Sequence, residues 1–220
     1  MSLGRRRPAG AQRTGTPADL LVVGLGNPGA DYAGTRHNAG AVAVEVLAQR
    51  HGGRLRSRRG LSALTDEVRI EGRRVALAFP QTYMNDSGGA VRKLVARFGI
   101  DDLRRLVVIH DELDLPTGRV QVRVGGGLAG HKGLRSIRDC LRATSFVRIR
   151  IGVGRPPSAA AGADYVLSQP RSADRDALRA AAARAADAAE AIAAEGPERA
   201  MNTFNVRSGD VREGRPGDAG

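Results

Sequence analysis

The chain has four histidines, and two of them sit where chemistry is easy to arrange. His37 and His131 each lie in a glycine-rich loop beside a helix start, where backbone amides and polar side chains converge. His110 ends an apolar run just before Asp111-Glu112, and reads either as a structural contact or as part of a site. His51 closes a helix beside Gly52-Gly53 and suits the negative end of that helix's dipole. No His-x-x-x-His or Cys-x-x-Cys spacing is present, so the sequence suggests no metal. The single cysteine, Cys140, falls inside a helical stretch next to Leu141 and reads as packing. Ser87 and Ser136 lack the Gly-x-Ser-x-Gly elbow of a serine nucleophile. What is left is attack by water, with a histidine as general base and a carboxylate to orient it. Gly24-Leu25-Gly26-Asn27-Pro28-Gly29 spells a dinucleotide fingerprint, but Pro28-Gly29 turns the chain and about ten loop residues precede the next helix. No acidic residue sits roughly 20 positions further on at a strand end, where a ribose would need it, so no nicotinamide or flavin cofactor is expected.

These residues must be carried by elements. Leu20-Leu21-Val22-Val23 is a short apolar run ending at Gly24, as a buried strand should be. After the loop that contains His37, Asn38 can cap a helix from about Ala39–Gly40, with Ala41, Val44, Leu47 and Ala48 on one face. Leu61–Ile70 and Arg73–Phe79 flank Glu71-Gly72 and predict a hairpin. Ser87 opens a helix that Gly99 stops. Arg105–Ile109 is a second buried strand, followed by an acidic turn, Asp111–Asp114. Val120, Val122 and Val124 alternate with polar residues, and the loop Gly125–Gly130 leads to a helix from about His131 to Leu141. Val147, Ile149 and Ile151 alternate with Arg148 and Arg150 in a further strand. A long alanine-rich helix runs from Ser172 to Ala194, where Gly196-Pro197 breaks it. Alternating strands and helices with one or two hairpins predict a single α/β domain, with a mixed central sheet flanked by helices.

The 220 residues suffice for one domain with its own core, and 41% are hydrophobic. With no Trp, three Tyr and four Phe, that core must be aliphatic. One cysteine excludes an internal disulfide and suits a reducing compartment, and no apolar run reaches the roughly 18–20 residues of a membrane span. A cytoplasmic protein is expected, and nothing demands more than a monomer. Residues 1–18 read as a disordered basic arm, 19–206 as the folded domain and 207–220 as a disordered tail. The formal net charge is +12, and Arg5, Arg6, Arg7 and Arg13 carry four of those charges. A positive body favours a polyanionic partner, although only Lys93 and Lys132 are lysines and the arginine bias also has the mark of a GC-rich genome.

Five blocks, in order and from about Leu20 to Asn205, resemble the bacterial peptidyl-tRNA hydrolase family. They are Gly24–Gly29 with Tyr32 and Thr35–Gly40; Pro80–Asn85 with Ser87-Gly88; His110–Pro116 with Gly118; Gly125–Gly127 with Gly130-His131 and Gly133-Leu134; and Arg148–Gly154. The resemblance implies a phosphorylase/hydrolase-like fold, and cleavage of the ester joining a peptide to the 3′ end of tRNA. It implies His37 as the base, Asp111 as acceptor of its other ring proton, and Asn27 and Asn85 as amides that hold the water, the peptide backbone or the developing oxyanion. Tyr32, Met84, Asn85 and His131 would line the substrate site, and Arg123, Arg135 and Arg148 are candidates for tRNA phosphates. Where the family has His followed by Asn in its fourth block, this chain has His131-Lys132. An ammonium cannot accept the hydrogen bonds that an amide oxygen can, so Lys132 would retune that contact. It also gives a foothold to an alternative: a non-catalytic RNA-binding relative of the same fold. The complete set of His37, Asp111, Asn27 and Asn85 argues for the enzyme, because binding alone needs no base.

Overall fold

The computed structural model describes residues 17–158 and 160–206. Residues 1–16 and 207–220 lie outside them, and so do most of the expected arm and the whole of the expected tail. Ala18, counted with the arm, is fully buried, and its N–H donates to the carbonyl of Phe98 at 2.9 Å.

Seven strands form one sheet. They are β1 (Leu20–Gly24), β2 (Arg56–Ser57), β3 (Ala63–Ile70), β4 (Arg73–Pro80), β5 (Leu106–Glu112), β6 (Val120–Val124) and β7 (Val147–Gly152), in the order β2-β3-β4-β1-β5-β7-β6. The middle four, β4-β1-β5-β7, run parallel, and antiparallel β3 and β6 flank them. Parallel strands covered on both faces need apolar residues at every position, which is why Leu20–Val23 and Leu106–Ile109 read as unbroken runs. One face packs on α1 (Ala39–Arg50), α5 (Ser172–Glu195) and α6 (Pro197–Phe204), the other on α2 (Ser87–Arg97) and α3 (Lys132–Leu141). Successive strand residues serve opposite cores: Val22, Val107 and Ile109 face the first, Leu21, Val23 and Val108 the second.

Three expectations are revised. β5 continues through Glu112, so Asp111 and Glu112 belong to a buried strand end and not to a turn. Asn38 stands at the N-cap of α1 but makes no capping bond; its amide is used elsewhere. Between β7 and α5 lies α4 (Gly162–Leu167), a six-residue helix with too little periodicity to be seen in the sequence. The 71–72 turn behaves as expected, with Glu71 at φ 48° and Gly72 at φ 74° closing the β3–β4 hairpin.

The connection from β1 goes toward β4, whereas the connection from β5 goes toward β7. Open α/β sheets bind ligands outside the carboxyl ends of strands where the connections part in this way. Two glycines bring α1 down onto this point. A Cβ on Gly24 would lie 2.1 Å from the Gly40 carbonyl oxygen, and one on Gly40 2.2 Å from that of Ile109. Through this close approach the Leu25 N–H reaches the Ile109 carbonyl and the Ala41 N–H the Leu25 carbonyl, both at 2.9 Å.

Candidate active site

Asp111, at the carboxyl end of β5, is the hub. His37 Nδ1 lies 2.9 Å from both of its oxygens, and His131 Nε2 lies 2.9 Å from Oδ1. The His131 ring is the N-cap of α3: its Nδ1 accepts the Leu134 N–H at 3.3 Å. A nitrogen that accepts carries no proton, so the proton of His131 stands on Nε2 and points at Asp111. On His37 the proton facing Asp111 is on Nδ1, which leaves Nε2 with a lone pair on a ring that lines the cleft. Burial alone would raise the Asp111 carboxyl. The imidazoles of His131 and His37 outweigh it, and hold the group far below the usual carboxylate range.

Behind this pair lies His110, fully buried, its Nδ1 2.7 Å from the Asp111 carbonyl oxygen and its ring edge-on to His131 at 5.0 Å. Its Nε2 has no partner. Of the two readings left open for His110, it is therefore the structural one that the contacts describe.

Asn27 comes from the loop after β1. Its Oδ1 accepts the Met84 N–H at 2.8 Å, so it presents N–H donors to the cleft. Its backbone is clamped by Asn38, whose Oδ1 accepts the Asn27 N–H and whose Nδ2 donates to the Asn27 carbonyl, both at 2.9 Å. Asn38, expected as a helix cap, instead holds Asn27 in place.

A cleft of about 320 Å³ opens over these groups, lined by Asn27, His37, Met84, Asn85, His131 and Lys132 on one side and by α4 on the other. Asn85 and Lys132 are exposed at its rim, and the Lys132 ammonium has no hydrogen bond or ion pair among the described residues. Tyr32 stands one layer back: its ring meets Tyr83 edge-on at 6.4 Å, and Tyr83, 60% exposed, lines the cleft in its place. Of the three arginines expected on phosphates, Arg123 and Arg135 are exposed. Arg148 is 3% exposed and donates to the carbonyls of Gly127, at 2.7 Å, and Gly125. It braces the glycine loop, and a phosphate contact from it would require that loop to let go. Burial first, then the neighbouring Arg150, lower its pKa. Arg150, read in the sequence only as a polar position of a strand, has a partner there. It donates to Glu112 from both Nε and Nη2 at 3.0 Å and so neutralises the second buried carboxylate of the strand end.

His37, Asp111 and His131 are also the one group of metal-binding composition among the described residues, with donor atoms all within 4.8 Å of one another. Their bonding is that of a proton network, in which each ring nitrogen facing Asp111 carries a hydrogen. For a dinucleotide the geometry is poor: directly after Gly24–Gly29 comes only the single 3-10 turn Ala30–Tyr32, and the next α-helix starts at Ala39, so no α-helix N-terminus opens on that turn. Among the described residues no helix is long and apolar enough to cross a membrane.

A carboxylate-oriented imidazole at the end of a parallel sheet faces amide donors in a cleft with no serine, threonine or cysteine among its described lining residues, the composition a hydrolase needs to activate water. A family model described as peptidyl-tRNA hydrolase matches residues 21–212. Relatives named peptidyl-tRNA hydrolase include that of Rubrobacter xylanophilus, 49% identical over 186 residues, covering 84% of this chain and 100% of the relative. That of Chloroflexus aggregans is 48% identical over 185 residues, covering 84% and 98%. A crystal structure of peptidyl-tRNA hydrolase from Acinetobacter baumannii superposes with a TM-score of 0.81 at 35% identity, covering 88% of this chain and 98% of the other. The chain belongs to the peptidyl-tRNA hydrolase family.

Proposed function

We propose that this protein hydrolyses the ester between a peptide and the 3′-terminal ribose of tRNA, releasing peptide and free tRNA for reuse in translation. His37 Nε2 takes a proton from a water molecule as the water oxygen attacks the ester carbonyl carbon. The negative charge that develops on the carbonyl oxygen is met by the amide donors of Asn27 and Asn85. As the tetrahedral species collapses, the bond to the ribose oxygen breaks, and the imidazolium of His37 returns its proton to that oxygen. Asp111 fixes the His37 tautomer and stabilises the imidazolium. Met84, Tyr83 and the α4 wall offer an apolar surface to the peptide. Lys132, Arg123 and Arg135 face the RNA side as solvated cations. No metal or cofactor enters any of these steps, and the reading carries with it a monomer acting in the cytoplasm, with residues 19–206 as the catalytic domain.

The observation that carries the reading is the His37–Asp111 pair, with the opposite face of the imidazole open to the cleft. The RNA-binding alternative has only Lys132 in its favour, and that residue lies at the rim without disturbing the pair. The test is release of N-blocked amino acid from aminoacyl-tRNA by the parent, His37→Ala and Asp111→Asn. The parent should turn over, His37→Ala should be silent, and Asp111→Asn should lose roughly a hundred- to ten-thousandfold. Equal release by parent and His37→Ala would place the base elsewhere, and binding of tRNA without release by the parent would leave the RNA-binding alternative.

A further inference from the structure

We propose that Arg36 is a positioning residue: it bolts the loop that carries His37 to the α4 wall of the cleft, so that the placement of the base depends on α4. The proposal rests on the hydrolase reading, and its observations lie outside the groups used so far. Arg36 is only 6% exposed, rare for an arginine. Its Nη1 donates to Ser168 Oγ at 2.9 Å, its Nη2 to Asp174 Oδ2 at 2.9 Å, and its guanidinium lies 4.4 Å from the centre of the Tyr165 ring. Its backbone N–H also donates to the Ser168 carbonyl at 3.3 Å. Ser168 is the C-cap of α4, Tyr165 belongs to α4, and Asp174 stands in the first turn of α5. Tyr165 is anchored in turn, its hydroxyl donating to the Val153 carbonyl at 2.7 Å, just past β7.

The residue next to the base is thus held front and back by the segment whose Gly162, Ala163, Val166 and Leu167 form the far wall of the cleft. The guanidinium Nε is buried without an acceptor. A buried donor left unmet is a cost, which the fold tolerates for the other contacts. Only a planar fork can reach a hydroxyl and a carboxylate while stacking on a ring; a lysine ammonium cannot. Geometry at the reacting centre tolerates little error, because a misplacement of about 1 Å costs on the order of a hundredfold in rate. A substrate seated against α4 is therefore registered at His37 through this clamp.

The test compares Arg36→Lys, Arg36→Met, Ser168→Ala and Asp174→Asn with the parent, using N-blocked aminoacyl-tRNA and measuring kcat, KM and Tm. A structural control comes from Asn205→Ala, at a residue that does not line the cleft. There the amide clamps edge strand β6 by accepting the Val122 N–H and donating to its carbonyl, both at 2.9 Å. The clamp predicts that kcat falls roughly ten- to a hundredfold in Arg36→Met, with KM nearly unmoved. Arg36→Lys should recover folding but only part of kcat, and Ser168→Ala and Asp174→Asn should be non-additive with the Arg36 changes. Asn205→Ala should lower Tm and leave kcat alone. If kcat per folded molecule stays at the parental value in the Ser168, Asp174 and Arg36→Lys variants, the clamp is merely structural and the proposal falls. A parent that releases no amino acid would overturn the hydrolase reading instead.

Discussion

Around Asp111 three imidazoles divide their work by what holds each ring. His37 is bonded on one nitrogen only, His131 on both, and His110 on one with the other buried and unmet. Burial, and after it the neighbouring His131, push the His110 imidazole well below its ordinary value, against the pull of Asp111. His110 is therefore neutral in the folded protein, while in the unfolded chain it gains a proton below about pH 6.5. The unfolded state binds more protons there, so the stability carried by a neutral His110 is complete above that pH and shrinks as pH falls. The limiting slope is about 1.4 kcal/mol per pH unit. Asp111 adds nothing between pH 5 and 7, since its depressed carboxyl is ionised in the fold and an ordinary one is ionised in the coil above about pH 4. His110→Asn keeps an N–H for the Asp111 carbonyl but cannot titrate, so its stability in urea should fall less steeply from pH 7 to 5. Parallel curves for parent and variant would mean that His110 takes up its proton without unfolding. At the cleft rim, Lys132 supplies donors where an amide supplies donors and an acceptor. Lys132→Asn should raise kcat several-fold, about what one hydrogen bond of ~1 kcal/mol is worth. Unchanged hydrolysis would make Lys132 a neutral replacement.

The elements place these residues by close approach, and the glycines separate those that must be small from those that need not be. Gly40→Ala drives a methyl into the Ile109 carbonyl, an overpacking worth about 1–3 kcal/mol. For a domain of this size each kcal/mol lowers Tm by roughly 2–4 °C. Because α1 begins immediately after His37 and Asn38, kcat should fall as well. Gly89→Ala, with nothing within 4 Å of the added Cβ in the first turn of α2, should be neutral or gain up to about 1 kcal/mol from helix propensity. Equal Tm values for the two variants would refute the packing argument. The same logic explains what could be read from sequence. β1 and the apolar start of β5 announce themselves because burial on both faces demands apolar runs. The end of β5 does not, since Asp111 and Glu112 look like a turn until their partners arrive from positions 37, 131 and 150. Asn38 has the residue type of a cap, and only the fold shows its amide on Asn27. His131 stood out by its place in a glycine loop, but as a cap it is off the usual list of Ser, Thr, Asp and Asn, so its bonds to Leu134 and Asp111 had no signal. The blocks carrying His37, Asp111, Asn27 and Met84 were legible as a family pattern; α4 and Arg36's grip on it were not.

At the scale of the whole molecule, the proposed hold on tRNA is a matter of charge. Of the formal +12, four charges lie in residues 1–16, so the rest of the chain keeps about +8. Many carboxylates are already engaged: Asp174 by Arg36, Glu112 by Arg150, Glu67 by Arg74 and Glu198 by Arg104. Arg123 lies on edge strand β6, opposite Arg148 in the register, and Arg135 is on the solvent side of α3. Neither has an ion pair among the described residues. Each phosphate neutralised by such a cation releases counterions, so affinity falls with salt by about one power per contact. For full-length N-blocked aminoacyl-tRNA, KM should climb steeply between about 50 and 200 mM salt while kcat holds. For an ester on the terminal nucleoside alone, which has no RNA body to hold, KM should hardly respond. Arg123→Ala and Arg135→Ala should each reduce the slope of log KM against log salt by about one, and act only on the long substrate. If both variants keep the parental slope, the tRNA body rests on another face of the protein and these two arginines are ordinary solvated charges.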